Sequence, residues 1–155
     1  MEQTIGIIKK DFLSGKWKGY YRYGKEYPLK FRKLKEPFEI EIKYDDDVFS
    51  GICIDNYTKD LFKAPAVIDG SFEGDRIYFI KRYPGLLTLD ENDKPTIILN
   101  EPSYAIQYEG FLYKCFWGND YYIKGEWSID ISYLDEGKNA NYFSDTGTWK
   151  ITKEK

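Results

Sequence analysis

Four kinds of side chain in this sequence are placed where they could do chemistry: paired carboxylates, two cysteines, cations within apolar segments, and many aromatic rings. Glu73 with Asp75, and Glu109 with Glu126, have the composition of a glycosidase couple, which needs two carboxyl groups facing each other across a sugar. Lying within turns and polar strand faces, they read as surface charge. Asp45-Asp46-Asp47 and Asp90-Glu91-Asn92-Asp93 could offer oxygens to calcium, but neither follows an EF-hand loop, and solvated turns are expected of both. Histidine is absent. That removes histidine-based triads, histidine-ligated zinc and a proximal histidine for haem. Cys53 and Cys115 match no metal or redox spacing. They are expected to be buried free thiols, with a disulfide across the sheet as the alternative. No catalytic residue, metal site or cofactor is assigned.

The cations and rings acquire meaning only through the elements that carry them. Apolar and polar residues alternate with period two in Phe38, Ile40, Ile42 and Tyr44 against Glu39, Glu41 and Lys43. The pattern recurs in Ile123, Gly125, Trp127, Ile129 and Ile131, and in Trp149 and Ile151. Each such segment is a half-buried strand. Further strands are expected at Lys16 to Tyr23, Leu29 to Leu34, Val48 to Ile54, Pro65 to Phe72, Arg76 to Tyr83, Thr96 to Leu99 and Tyr104 to Tyr113. Short turns such as Asp45-Asp46-Asp47 and Glu73-Gly74-Asp75 separate them, so sequential strands should pair as hairpins. Glycines recur inside the strands beside aromatics, as in Gly110-Phe111 and Gly125-Glu126-Trp127. In a tightly coiled sheet, glycine permits the bends that closure demands and leaves room for a ring.

The expected fold is therefore all-β: one antiparallel up-and-down barrel of eight to ten strands, the number at which a sheet closes around a core or one small ligand. It should span residues 15–155. Residues 1–14 are expected to form an arm or a short helix, since Ile5, Ile8 and Phe12 share one helical face. At 155 residues the chain has the length of one domain. An outer-membrane barrel would turn Lys124, Glu126 and Asp130 toward lipid, where charge is costly.

With the apolar faces inward, parity brings Tyr21, Tyr23, Tyr44, Tyr104 and Tyr108 together with Trp17, Phe38, Phe49, Phe72, Trp127 and Trp149. Such a wall could hold an apolar or amphipathic ligand while phenol hydroxyls fix its polar atoms. Equally, the rings could simply fill the barrel. Arg22, Arg76, Lys81 and Arg82 could anchor an anionic head group. In Ile77-Tyr78-Phe79-Ile80-Lys81-Arg82 both faces are apolar, so a one-residue slip decides which cation points inward; Arg82 is the candidate anchor. The candidate ligand-binding set is Tyr21, Tyr23, Tyr44, Phe49, Phe72, Arg82, Tyr104, Tyr108 and Trp127. Tyr20, Trp117, Tyr121, Tyr122, Tyr133 and Tyr142 are candidate outer contacts for a protein or glycan.

Gly15-Lys16-Trp17, opening the first strand after a short N-terminal segment, resembles the Gly-x-Trp signature of the calycin superfamily of lipocalins, fatty-acid-binding proteins and avidins. The resemblance implies that Trp17 plugs one end of the barrel. Lipocalins pack an arginine from the last strand on this tryptophan; here no arginine follows Arg82, and Lys150 or Lys153 is the candidate stand-in. Its functional implication is non-covalent binding of a small ligand. A protein- or glycan-interaction module on a barrel scaffold is the alternative, and an enzyme on such a barrel, using tyrosine with a carboxylate or arginine, the third. The net charge of −3 and the lack of a basic run argue against nucleic acid as a partner. No apolar run approaches the roughly 20 residues of a membrane helix, and Met1-Glu2-Gln3 lacks a charged n-region before an apolar stretch, so no signal peptide is expected in the sequence as it stands. A cytoplasmic location is the expectation.

Overall fold

The computed structural model describes residues 12–56, 58–61, 63–92, 94–98, 100–115, 120–134 and 136–154. Among these described residues ten strands and one short helix follow in chain order. They are β1 (Gly15–Tyr23), α1 (Leu29–Arg32), β2 (Glu36–Asp45), β3 (Val48–Asp55), β4 (Ala66–Glu73), β5 (Arg76–Arg82), β6 (Leu86–Leu89), β7 (Pro95–Ile98), β8 (Ile106–Lys114), β9 (Tyr121–Leu134) and β10 (Ala140–Lys153). Eight of the strands close a barrel in the order β1-β10-β9-β8-β5-β4-β3-β2, every pair antiparallel. The remaining two, β6 and β7, form a separate hairpin. Closure is completed by the first and last strands, Trp17 opposite Lys153 and Tyr23 opposite Gly147.

The alternation in the sequence becomes burial in the barrel. In β2, Phe38, Ile40 and Ile42 are buried while Glu39, Glu41 and Lys43 are exposed. Each such ring or branched chain removed from water contributes about 1.5–3 kcal/mol. Register is set by tight turns. Asp46 and Asp47 both adopt positive φ, 49° and 71°, as a two-residue hairpin turn requires. The turn pairs Asp45 with Val48 and carries on to pair Phe38 with Asp55. Close packing explains two of the strand glycines: a Cβ at Gly147 would stand 2.3 Å from the Trp127 ring, and one at Gly110 would stand 2.8 Å from the Trp149 ring.

Leu29–Leu34, expected as a strand, is instead a short helix over Leu29–Arg32 that ends in a turn at Lys33. Pro28 presets its entry, and three of the four residues that follow, Leu29, Lys30 and Arg32, are good helix formers. Thr96 to Leu99, expected as a strand, is one over its described residues Thr96–Ile98, but not as part of the barrel. Among the described residues this strand, β7, pairs with β6 outside the barrel.

One end of the barrel is closed by the chain that leads into it. Trp17 and Leu13 are fully buried, and the indole N–H of Trp17 donates to the Leu13 carbonyl at 3.0 Å. Phe12 packs edge-on against Trp17. Lys153, opposite Trp17, donates to the Phe12 carbonyl and lies 4.6 Å from the centre of its ring. The backbone N–H of Tyr44 donates to Ser14 Oγ at 3.0 Å, tying the entering segment to β2. Of the expected N-terminal arm, residues 1–11 lie outside the described residues. The closed up-and-down barrel is the fold expected from the alternating strands and short turns.

Candidate functional site

The other end of the barrel is chemically different. Here β3 ends at Asp55 and β5 approaches its end at Lys81, and both side chains point into the barrel at 1% exposure. Their direction follows from the hairpins. Phe38 faces inward, so its cross-strand partner Asp55 does too; Ile68 faces inward, and its partner is Lys81.

Lys81 Nζ lies 2.9 Å from Asp55 Oδ2. The same oxygen accepts a hydrogen bond from the Tyr83 hydroxyl at 2.5 Å. Asp55 Oδ1 accepts two more, from the Thr58 backbone N–H at 2.8 Å and the Thr58 hydroxyl at 2.6 Å. Four donors therefore saturate one buried carboxylate. The Lys81 ammonium also faces the rings of Tyr83 at 4.6 Å, Tyr21 at 5.5 Å and Tyr108 at 6.0 Å.

The electrostatics follow from this geometry. Burial alone would push the Asp55 carboxyl up, but the Lys81 charge and the bonds from Thr58 and Tyr83 hold it below the usual carboxylate range. Burial alone would likewise push Lys81 down; Cys53, Tyr108, Tyr83 and Asp55 together keep it well above the ordinary lysine value. Burial raises the Cys53 thiol to about 11 and the Tyr108 phenol to about 12. Tyr21 and Tyr83 are raised as well, again chiefly by burial. At neutral pH the cluster is thus one ion pair among neutral phenols and a thiol.

Rings surround the pair and lead outward. Tyr21 packs edge-on against Phe38, and Tyr108 stacks on Phe79 at 4.6 Å with planes 7° apart. Toward the mouth, Tyr23 contacts Tyr27 at 4.6 Å, Trp127 at 5.9 Å and Phe31 of α1 at 6.0 Å. The loop carrying Tyr27 and Phe31 therefore packs onto the mouth. The Trp127 indole N–H donates to the Arg22 carbonyl at 3.0 Å, which fixes its plane. Tyr23, Tyr27, Tyr83, Ile106 and Ile129 are half-buried. Glu36, opposite Tyr21, is half-buried too, and its carboxyl is raised by burial and by the Asp55 charge.

Of the nine candidate ligand-binding residues, the fold brings Tyr21, Tyr23, Tyr108 and Trp127 together around this cluster. Phe49 lies deeper, against Phe79. Tyr44 and Phe72 lie toward the Trp17 end: Tyr44 bonds Asp47, and the Phe72 N–H donates to the Asp47 carbonyl. Arg82 points outward and is exposed, opposite Val67. The inward cation is its neighbour Lys81, because the Gly74-Asp75 turn pairs Phe72 with Ile77 and so fixes the parity of β5. Tyr104 precedes β8 and is 37% exposed, so strand parity does not apply to it. Sequence reasoning did not select Asp55, Thr58 or Tyr83. Counting across the Asp46-Asp47 turn from inward Phe38 would have found Asp55; no signal marked Thr58. Among the candidate outer aromatics, Trp117 and the side chains of Tyr133 and Tyr142 lie outside the described residues. Cys53 and Cys115 are both free thiols. Among the described residues no cluster of metal-ligating side chains occurs, and no helix is long and apolar enough to cross a membrane.

No protein-family model matches the chain, and no curated protein matches it. Solved structures do. A short afifavidin in complex with biotin aligns over 86% of this chain and 87% of its own, at 13% identity and a TM-score of 0.45. Rhizavidin aligns over 85% of this chain and 81% of its own, also at 13% identity, with a TM-score of 0.40.

Proposed function

We propose that the barrel binds a small amphipathic molecule non-covalently, entering at the end opposite Trp17. Its apolar body packs among Tyr21, Tyr23, Tyr108 and Trp127, and its polar group is oriented by the Lys81 cluster. The observation that carries this reading is the ion pair between Lys81 and Asp55, almost completely buried inside an aromatic sleeve. A barrel that needed only to be filled would gain nothing from it. Taking two charges out of water costs several kcal/mol per ion, and well-packed apolar side chains commonly do as well or better. Perturbed ionisable groups at one end of an enclosed apolar wall are what a binding site needs for orientation. The Lys81 ammonium carries three donor hydrogens, one of them bonded to Asp55, and a ligand oxygen offers an acceptor for another.

Native mass spectrometry of protein purified from its source, followed by release under denaturing conditions, tests the proposal. The expected result is excess mass that disappears on denaturation, and that a folded Lys81→Met variant no longer retains. A bare chain mass, together with Trp127 emission and Tyr108 ring signals unmoved by a panel of medium-chain carboxylates, alcohols and amines, rejects it.

A further inference from the structure

The outer surface of the barrel carries a second feature, independent of the interior. A groove of about 720 Å³ runs across the outer faces of β1, β10, β9, β8 and β5. Along its length the register sets Tyr20, Lys150, Lys124 and Phe111 side by side on four adjacent strands. The two lysines are direct cross-strand partners, a like-charge pairing that destabilises a sheet. Among the described residues neither has a carboxylate within ion-pair distance. Each is instead held over a ring, Lys124 over Tyr113 at 5.1 Å and Lys150 over Tyr122 at 4.7 Å, and those two rings stack 5.3 Å apart.

The neighbouring row has the opposite sign. Glu109 and Glu126 are also direct cross-strand partners. Arg76 neutralises Glu109 at 2.8 Å, leaving Glu126 without an ion pair among the described residues. Two residues along a strand span about 7 Å. The groove therefore presents a cation pair and a hydrogen-bond-accepting carboxylate about one sugar ring apart, with Phe111, 45% exposed, as an apolar flank.

We propose that this groove binds an acidic saccharide of the uronate type. Its carboxylate bridges Lys124 and Lys150, its ring hydroxyls donate to Glu126, and a C–H face of the sugar packs on Phe111. A polyphosphate chain fits less well, because the glutamate row repels the phosphate following the one on the lysines. A neutral sugar leaves the lysine pair unrelieved.

Calorimetric titration of the intact chain with oligogalacturonate tests this, alongside an uncharged galactose oligomer, inorganic sulfate, oligothymidylate and the protein's own self-association by sedimentation. The expected result is binding of the uronate above all the others. Lys124→Gln and Lys150→Gln should each weaken it about tenfold, as for loss of one charge-assisted bond. Lys43→Gln, an exposed lysine on β2 outside the groove, should leave it unchanged, which separates this site from general surface charge. The substituted lysines lie on the barrel's outer face, and circular dichroism verifies that the variants remain folded. Equal binding of the galactose oligomer, stronger binding of oligothymidylate, binding of sulfate alone, no binding at all, or a dimer that covers Lys124 and Lys150 would each overturn the proposal.

Discussion

Lys81 reaches across the barrel interior to Asp55, 26 residues earlier in the chain, with 2.9 Å between ammonium and carboxylate and almost no solvent at either group. The two arrive on different hairpins, and neither turn alone brings them together. The consequences of that pairing can be measured.

Removing one member leaves the other charged and unpaired in the interior. Lys81→Met should therefore lower stability by about 3–5 kcal/mol. Replacing both, as in Lys81→Met with Asp55→Leu, should recover a large part of that loss, since no buried charge remains. Urea unfolding of the single and double variants measures the difference. Additive losses would show that the two groups act independently.

Stability should fall at both extremes of pH, for reasons that can be separated. Asp55 is held below its unfolded value, so its contribution is present above about pH 4 and is lost as pH falls through the folded pKa. Cys53 is raised to about 11, so its contribution is complete below the unfolded thiol value and is lost as pH rises toward 11. Lys81, raised, and Tyr108, raised to about 12, continue the loss above that. Cys53→Ala should flatten the early part of the alkaline limb in urea titrations, between about pH 8.5 and pH 11, while leaving the acid limb in place. An unchanged alkaline limb would contradict this.

Gly147→Ala should be destabilising by about 1–3 kcal/mol, because the added methyl meets the Trp127 ring at 2.3 Å and the Arg22 carbonyl oxygen at 2.0 Å. The same clash should tilt Trp127 away from its bond to Arg22, shifting its fluorescence emission. Gly74→Ala is the control, for nothing lies within 4 Å of its Cβ position. Its φ of 62° should cost only the backbone strain of a left-handed alanine, about 1–2 kcal/mol, without moving the indole signal.

Much of the candidate site could be read along the chain. Tyr21, Tyr108 and Trp127 lie inside because each sits on the apolar side of an alternating strand, a local property. Lys81 against Arg82 could not be settled within β5, where Ile77, Tyr78, Phe79 and Ile80 make both faces apolar. The turn at Gly74-Asp75 settles it, by matching β5 to the clearly one-sided β4. Tyr104 misled because alternation was extended past the start of β8. Leu29–Leu34 misled because Leu, Phe and Leu at spacings of two and three satisfy a strand pattern and a helical turn about equally, and Pro28 tips the balance toward the turn.

Taken alone, the sequence determined that the chain is a set of two-faced strands joined by tight turns, with a tryptophan at the head of the first and no histidine for chemistry. Alternation and turn types are set by residues close in the chain, so they need no knowledge of the rest. Closure of β1 on β10, exclusion of β6 and β7 from the barrel, and the meeting of Asp55 with Lys81 were decided only by the tertiary structure. They depend on partners many residues apart, and which strand edges satisfy each other's hydrogen bonds is a property of the whole sheet.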